Sequence, residues 1–134
     1  MGRNDVNCMD VFNRNNTYHT RELPILKSYM LIGRVNTPAN GVSIQISEIP
    51  INSEQPLHRH APEQCYYIIR GRGLMIIERE ERVVEAGDAV YIPSNKDHGI
   101  KNIGSKVLEY LTANSPAFDP DYEKALWPNK SSLK

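Results

Sequence analysis

Short apolar runs alternate with turn-forming residues along most of this chain, and they limit the folds open to it. Between residues 42 and 48, Val42, Ile44, Ile46 and Glu48 occupy one parity while Ser43, Gln45 and Ser47 occupy the other, a pattern typical of a half-buried β-strand. Further strand-like runs lie at 25–34, 65–69, 74–78, 83–84, 89–93, 98–103 and 107–111. Many short strands joined by turns, with no long helical pattern between them, predict an all-β barrel or sandwich.

Length and charge narrow the class of protein further. At 134 residues the chain predicts one domain with a single modest core. The 16 basic and 16 acidic residues cancel, so neither nucleic acid nor a membrane is an expected partner. No apolar run approaches the length of a membrane span, and no charged-then-apolar leader opens the chain; both observations favour a soluble, cytoplasmic protein. Cys8 and Cys65 are isolated, and we expect two reduced thiols.

Composition divides the chain into three parts. Residues 1–24 form a polar N-terminal arm, 25–113 carry the strand pattern, and 114–134 form a C-terminal tail. In the tail, Asp119 can cap a helix that begins at a proline and has acidic residues in its first turn. We expect a short helix there. Phe118 and Trp127 predict that the tail covers the β domain or packs on a partner chain.

Histidines close together in sequence point to a metal site. His58 and His60 are two residues apart, so on a strand they share a face with Cα atoms roughly 6.6 Å apart. Gln64 follows at an even offset, and His98 ends another apolar run. Three imidazoles and one carboxamide form a plausible metal-ligand set. Glu63 is an alternative ligand: a regular strand places it on the opposite face, but Pro62 can distort that strand.

Two segments of the sequence resemble the motifs of the cupin superfamily. The first motif corresponds to His58-x-His60-x3-Gln64-x6-Gly71, and the second to Gly87-x5-Pro93-x4-His98-x3-Asn102. The resemblance implies that residues 25–113 form a small antiparallel jelly-roll β-barrel, the cupin barrel. It also implies that the mouth of this barrel holds one metal ion, bound by His58, His60, Gln64 and His98.

The sequence departs from the cupin pattern at two positions. Asn95 stands where glycine is usual, and asparagine tolerates the left-handed backbone conformation that a glycine there supplies. Gln64 stands where glutamate is usual. A set of neutral ligands leaves a divalent ion its full charge, which attracts anionic or oxygen-rich ligands. The ligand types suit zinc, manganese, iron, nickel and cobalt alike.

A narrower resemblance indicates the chemistry. The order His-x-His-x2-Glu-Gln and the run Pro-Ser-Asn-x-x-His-Gly at 93–99 are similar to small cupins that help open-ring uronate sugars cyclise in pectin breakdown. This similarity implies a metal-dependent isomerase, cyclase or lyase that acts on a small oxygen-rich anion such as a sugar acid. The alternatives are a metal-dependent dioxygenase and a non-catalytic protein that binds or senses a small sugar or carboxylate.

Three further residues are candidates for the site. Tyr66 shares its parity with Gln64, so it is the candidate catalytic residue, as a hydrogen-bond donor or weak acid, with packing as the alternative. Arg72 and Tyr91 are candidate anion contacts. Small cupins commonly pair through N-terminal strands, so the resemblance also suggests a homodimer, and the apolar stretch 24–34 is consistent with one.

Overall fold

Ten β-strands and one short helix account for the regular structure in the computed structural model, which describes residues 9–128. Residues 1–8, with Cys8, and 129–134 lie outside the described part. The strands are β1 (Thr20–Glu22), β2 (Lys27–Ile32), β3 (Ser43–Ile49), β4 (Glu54–His58), β5 (Glu63–Arg70), β6 (Arg72–Ile77), β7 (Glu80–Glu85), β8 (Ala89–Ile92), β9 (His98–Asn102) and β10 (Leu108–Ser115). The helix, α1, spans Pro120–Leu126.

The strands form two antiparallel sheets. The first has six strands in the order β1-β2-β3-β10-β5-β8, and the second has four in the order β4-β9-β6-β7. Strands distant in sequence, such as β3 and β10, are neighbours, which is the connectivity of a jelly roll. The predicted all-β jelly roll with a short C-terminal helix is therefore confirmed. The two sheets are not joined into a continuously hydrogen-bonded barrel.

Apolar side chains fill one end of the space between the sheets. Ile49 and Leu108 pair across β3 and β10, and both are fully buried together with Ile68, Ile92 and Ile100. Burial of each such side chain contributes about 1.5–3 kcal/mol to the free energy of unfolding. This apolar end anchors the strands whose opposite ends carry polar groups.

At the other end of the six-stranded sheet, the buried face is polar. The alternation at β3 predicted a half-buried strand, and the strand is half-buried, but its inward side chains are Ser43, Gln45 and Ser47. The isoleucines of the opposite parity lie on the outer face. Buried polar groups need partners, and these groups line a cavity or bond to Asn114 on β10.

Two turns of the fold depend on unusual backbone conformations. Asn95 has a φ of 59°, which confirms the left-handed conformation predicted for it. Gly71 between β5 and β6 has a φ of +92°, and an added Cβ would lie 2.7 Å from the carbonyl oxygen of Val107. A larger residue would therefore separate this hairpin from the strand beside it.

Both ends of the described chain pack on the β domain. The predicted arm contributes β1, which extends the six-stranded sheet beside β2, and its Arg14 bonds the carboxylates of Glu48 and Glu109. Asp119 caps α1 by accepting a hydrogen bond from the Asp121 N–H at 2.8 Å. No helix in residues 9–128 has the length and apolar character of a membrane span.

The C-terminal segment covers the polar end of the jelly roll. Phe118 and Trp127 are 4% exposed and pack on Met30 of β2. The tail was predicted either to cover the β domain or to pack on a partner chain, and these two residues cover the β domain. Glu123 is fully buried and accepts a hydrogen bond from the backbone N–H of Val35 at 2.9 Å. Burial raises the pKa of this carboxyl group. The helix is therefore fixed by packing and by one buried polar contact.

Candidate metal centre

Pairing of β4 with β9 brings the three motif histidines together. His58 at the end of β4 lies opposite His98 at the start of β9, and His60 follows in the loop before β5. The ring centroids of His58 and His98 are 4.3 Å apart, those of His60 and His98 are 4.9 Å apart, and those of His58 and His60 are 5.7 Å apart. One ring nitrogen from each histidine lies within 4.8 Å of the others. Residues forty positions apart in sequence thus form one cluster.

Backbone carbonyls orient all three rings in the same way. Nδ1 of His58, His60 and His98 lies 2.9, 3.0 and 2.9 Å from the carbonyl oxygens of Pro56, Pro62 and Lys96, respectively. A carbonyl oxygen can only accept, so each Nδ1 carries a proton, and in the neutral ring Nε2 then keeps its lone pair. Metal-binding histidines are typically held in this manner. Nε2 of His98 is buried and has no hydrogen-bond partner among residues 9–128.

Burial keeps two of the rings in the form that binds a metal. Desolvation lowers the pKa of His58, and it lowers the pKa of His98 to about 4. Only the neutral imidazole offers a lone pair to an ion. A ring with a depressed pKa and an unpartnered Nε2 is therefore prepared for a metal ion.

A chain of side-chain hydrogen bonds orients the carboxamide of Gln64. Asn114 donates to Gln45 Oε1 at 2.9 Å and to Ser43 Oγ at 3.1 Å, which leaves its own oxygen to accept from Gln64 Nε2 at 2.6 Å. Gln64 Oε1 consequently faces the histidines and lies 3.2 Å from His60 Nε2. Two acceptors at that distance repel each other unless positive charge lies between them, so the pair is complementary to a cation.

The donor set fits a divalent transition metal. It combines three convergent imidazoles with a correctly oriented carboxamide oxygen, and imidazole nitrogen is a common ligand for such ions. The described residues contain one group of three or more histidine, cysteine or acidic side chains close enough to share an ion, and it is His58, His60 and His98.

The cluster opens onto a cavity of about 250 Å³ between the sheets. Its lining is mostly polar or aromatic and consists of Arg21, Leu26, Ser28, Gln45, Ser47, Gln55, His58, His60, Gln64, Tyr66, Tyr110, Thr112, Phe118, Tyr122, Leu126 and Trp127. No Asp, Glu or Lys of the described residues belongs to this lining. A ligand that enters the cavity would meet neutral donors, one arginine and the histidines.

Several candidates from the sequence lie elsewhere. Glu63 is exposed on the outer face of β5, where its carboxylate accepts a hydrogen bond from the Tyr91 hydroxyl at 2.5 Å. Arg72 borders a separate surface depression near Gly104. Neither Arg72 nor Tyr91, the candidate anion contacts, is among the residues that line the histidine cavity. Arg21 does line it, and the polar arm that carries Arg21 has no sequence pattern that would have indicated this.

Tyr66 lies at the boundary between the core and the cavity. It is 3% exposed and lines the cavity, and its ring stacks on Tyr110 with centroids 4.6 Å apart. Burial raises the pKa of Tyr66 well above its ordinary range, and the neighbouring Tyr110 raises it further. The hydroxyl therefore stays protonated at neutral pH and can donate a hydrogen bond but cannot act as a base.

A larger groove of about 530 Å³ runs between β7 and β8, lined by Val83, Val84, Val90 and Arg82 among others. It contains no histidine, cysteine or glutamine. The size of this groove alone does not indicate a function. The smaller cavity, which the histidines line, is therefore the candidate site.

Comparison with known proteins identifies the family. The sequence profile of the cupin domain matches residues 45–114, which is just over half of the chain. The chain belongs to the cupin family. All three clustered histidines lie within the matched residues, while Arg21, Phe118, Tyr122 and Trp127 lie outside them.

Relatives and solved structures agree with this assignment. The chain is 40% identical over 81 residues to an uncharacterized protein of Methanocaldococcus jannaschii, covering 58% of this chain and 65% of that protein. It is 34% identical over 65 residues to an oxalate-binding protein of Thermotoga maritima, covering 48% of this chain and 54% of that protein. The chain thus spans between about half and two thirds of the length of these relatives.

An RmlC-like cupin from Shewanella frigidimarina has the same fold. Its crystal structure matches with a TM-score of 0.69 and 20% sequence identity, covering 85% of this chain and 96% of that chain. An identity this low shows the fold alone.

The convergent histidines predict that metal stabilises the folded protein. A ligand present at a hundredfold excess over its Kd contributes about 2.7 kcal/mol, which for a domain of this size raises Tm by roughly 10 °C. We expect shifts of this size with zinc or cobalt in a thermal unfolding experiment, and little shift for His98→Ala. His19→Ala is the control, since His19 contacts the Trp127 carbonyl and lies outside the cluster. Equal shifts in wild type and His98→Ala would contradict the site.

Proposed function

We propose that this cupin binds one divalent transition metal through His58, His60, Gln64 and His98, and that it is an isomerase, cyclase or lyase acting on a small oxygen-rich anion such as a sugar acid. The observation that carries this proposal is the cluster of three imidazoles, oriented alike, opening onto a polar cavity.

The proposed ligand set leaves room for a substrate. Four protein ligands leave one or two positions open on a five- or six-coordinate ion, as in catalytic rather than structural sites. Held by His58, His60, Gln64 and His98, such an ion would supply Lewis-acid polarisation of a carbonyl or carboxylate oxygen of the bound molecule. The protein's part is to hold that molecule and to supply protons: Tyr66 keeps its hydroxyl protonated and borders the cavity.

The size and lining of the cavity support a small anion. A volume of about 250 Å³ equals roughly eight water molecules at about 30 Å³ each, which is enough for a compact acid but not for a polymer. The lining described for the cavity includes Arg21 and no acidic side chain, so it does not repel negative charge. The resemblance of the motifs to those of uronate-cyclising cupins and the oxalate-binding relative favour carboxylates.

A second candidate function is binding of a small carboxylate without turnover. The relative from Thermotoga maritima, an oxalate-binding protein, favours this possibility. The two candidates share the metal site and differ only in whether a product forms. The dioxygenase alternative differs in its metal: it requires a redox-active ion and oxygen, so its zinc form would be inactive.

Turnover tests the enzymatic proposal. Protein loaded separately with zinc, manganese, iron(II), cobalt and nickel should convert at least one member of a panel of sugar acids and keto acids, as followed by NMR. Gln64→Ala should lower kcat/KM at least tenfold, because one metal ligand is lost, whereas Glu63→Ala, on the opposite face, should retain activity.

The outcomes separate the three functions. Turnover by the zinc form supports the isomerase, cyclase or lyase proposal. Activity confined to iron and coupled to oxygen uptake would contradict it in favour of a dioxygenase. If an acid raises Tm but no metal-loaded form gives a product, the result would support binding without turnover.

We also propose that the protein is a homodimer that buries the outer face of its six-stranded sheet. This outer face carries Ile44, Ile46, Leu111, Tyr67 and Ile69, and the last two are 49% and 40% exposed. Contiguous apolar surface of this kind marks an interaction site. The apolar stretch 24–34 offers less, since α1 and the loop after it cover Met30.

Sedimentation at low micromolar concentration tests the dimer. Wild type should sediment as a dimer, and Tyr67→Glu should dissociate it because a charge would be buried at the interface. Val83→Glu on β7 introduces the same charge at an exposed apolar position of the other sheet and should leave the dimer intact. A wild-type monomer, or a dimer that Tyr67→Glu does not affect, would contradict the proposal.

A further inference from the structure

We infer that Arg21 is the carboxylate-binding residue of the site: it pairs with the carboxylate of a small acid while another oxygen of that acid faces the histidines. The inference rests on the proposed metal-dependent function. It limits the ligand to acids long enough to reach from the metal to the Arg21 guanidinium.

The register of the edge strand directs Arg21 inward. Arg21 on β1 lies opposite Ser28 on β2, and opposite residues of an antiparallel pair point to the same face. Ser28 is 1% exposed and lines the histidine cavity. Arg21 lines the same cavity, so the last residues of the arm extend the inner face of the sheet by one cationic side chain.

Among residues 9–128, Arg21 is the only charged residue of the lining, and no carboxylate of these residues pairs with it. Its charge acts on groups at the site: burial raises the pKa of Tyr122, and Arg21 opposes that rise. A cation beside a buried cavity without an acidic partner is complementary to an anion from outside.

A second unpartnered polar group faces the same space. Thr112 is 3% exposed and lines the cavity, and its hydroxyl has no hydrogen-bond partner within the described chain. A buried hydroxyl without a partner destabilises the folded protein. Because this group lies between the two sheets and not in a packed apolar core, a ligand oxygen can satisfy it.

Aromatic side chains from the C-terminal segment complete the enclosure. Phe118, Tyr122 and Trp127 line the side of the cavity contributed by that segment, and Phe118 lies 5.1 Å from the His60 ring, centroid to centroid. Exclusion of water strengthens an ion pair between Arg21 and a carboxylate. Arg21 and these aromatics lie outside the residues shared with the cupin profile, so the termini of this chain determine which acid the common metal site accepts.

Ligand titration of the cobalt-loaded protein tests the inference. Succinate and malonate are the dianionic probes, and their monoamides, succinamate and malonamate, are matched probes that lack one charge. Binding is followed by the visible spectrum of the cobalt ion. Arg21→Gln should weaken the binding of at least one dianion by roughly 10- to 100-fold, the range of a charge-assisted hydrogen bond. The single carboxylate of a monoamide should go to the more strongly charged cobalt ion and leave the neutral amide at Arg21, so the affinity for the monoamides should change by no more than about twofold.

Further variants serve as controls. Arg21→Lys should recover part of the loss, because it keeps the charge and loses the planar fork. Arg82→Gln removes the same charge from the exposed β7 strand and should bind all probes as wild type does. Thr112→Val should weaken dianions and monoamides alike by several-fold, and it tests the cavity independently if Arg21→Gln fails to fold.

Each outcome has one meaning. Selective loss of dianion binding in Arg21→Gln supports the inference. If all variants hold one cobalt per chain but Arg21→Gln binds the dianions as wild type does, or if neither dianion changes the wild-type spectrum, the assignment of Arg21 is overturned and the metal site stands. If wild type holds no cobalt, the proposed function and this inference fall together.

Discussion

Everything about the site depends on three hydrogen bonds from histidine Nδ1 to backbone carbonyl oxygens. The carbonyls of Pro56, Pro62 and Lys96 each lie two residues from the histidine they hold. They fix the tautomer as well as the direction of each ring, so three lone pairs meet in one place. Without an ion, Nε2 of His98 is buried and has no hydrogen-bond partner among the described residues. The rest of the fold must offset the free-energy cost of that buried nitrogen.

The jelly roll provides stability because the space between its sheets is divided into an apolar end and a polar end. Aliphatic residues such as Ile49 and Leu108 fill one end, and at the other end of the same strands polar side chains form a hydrogen-bonded network. Asn114 is central to this network, because it takes up the amide nitrogen of Gln64 and leaves the oxygen for the histidines. Either oxygen of a carboxylate at this position could face the histidines. A carboxamide has only one oxygen, so a neighbour must orient it, and Asn114 does this by accepting a hydrogen bond from the amide nitrogen of Gln64.

Much of the fold could be predicted from the sequence, because strand alternation, turn residues and motif spacing are local signals. Asn95 shows this well: glycine is usual at this position of the motif and asparagine tolerates the same conformation, which together predicted the left-handed backbone that the structure has. The part of the site that would receive the ligand was harder to predict from the sequence. Alternation at β3 could not show that its polar parity is buried, and nothing local in the arm marked Arg21, since its position depends on pairing of β1 with β2. Asn114 lies beyond the last predicted strand, so its contact with Gln64 was also missed.

X-ray absorption at the zinc edge of the zinc-loaded protein measures the ligand set itself. The account predicts three imidazole nitrogens at about 2.0–2.1 Å, identified by outer-shell scattering from their rings, with the remaining ligands oxygen. A spectrum that requires fewer than three imidazoles, or sulfur at about 2.3 Å, would contradict a centre built from His58, His60 and His98.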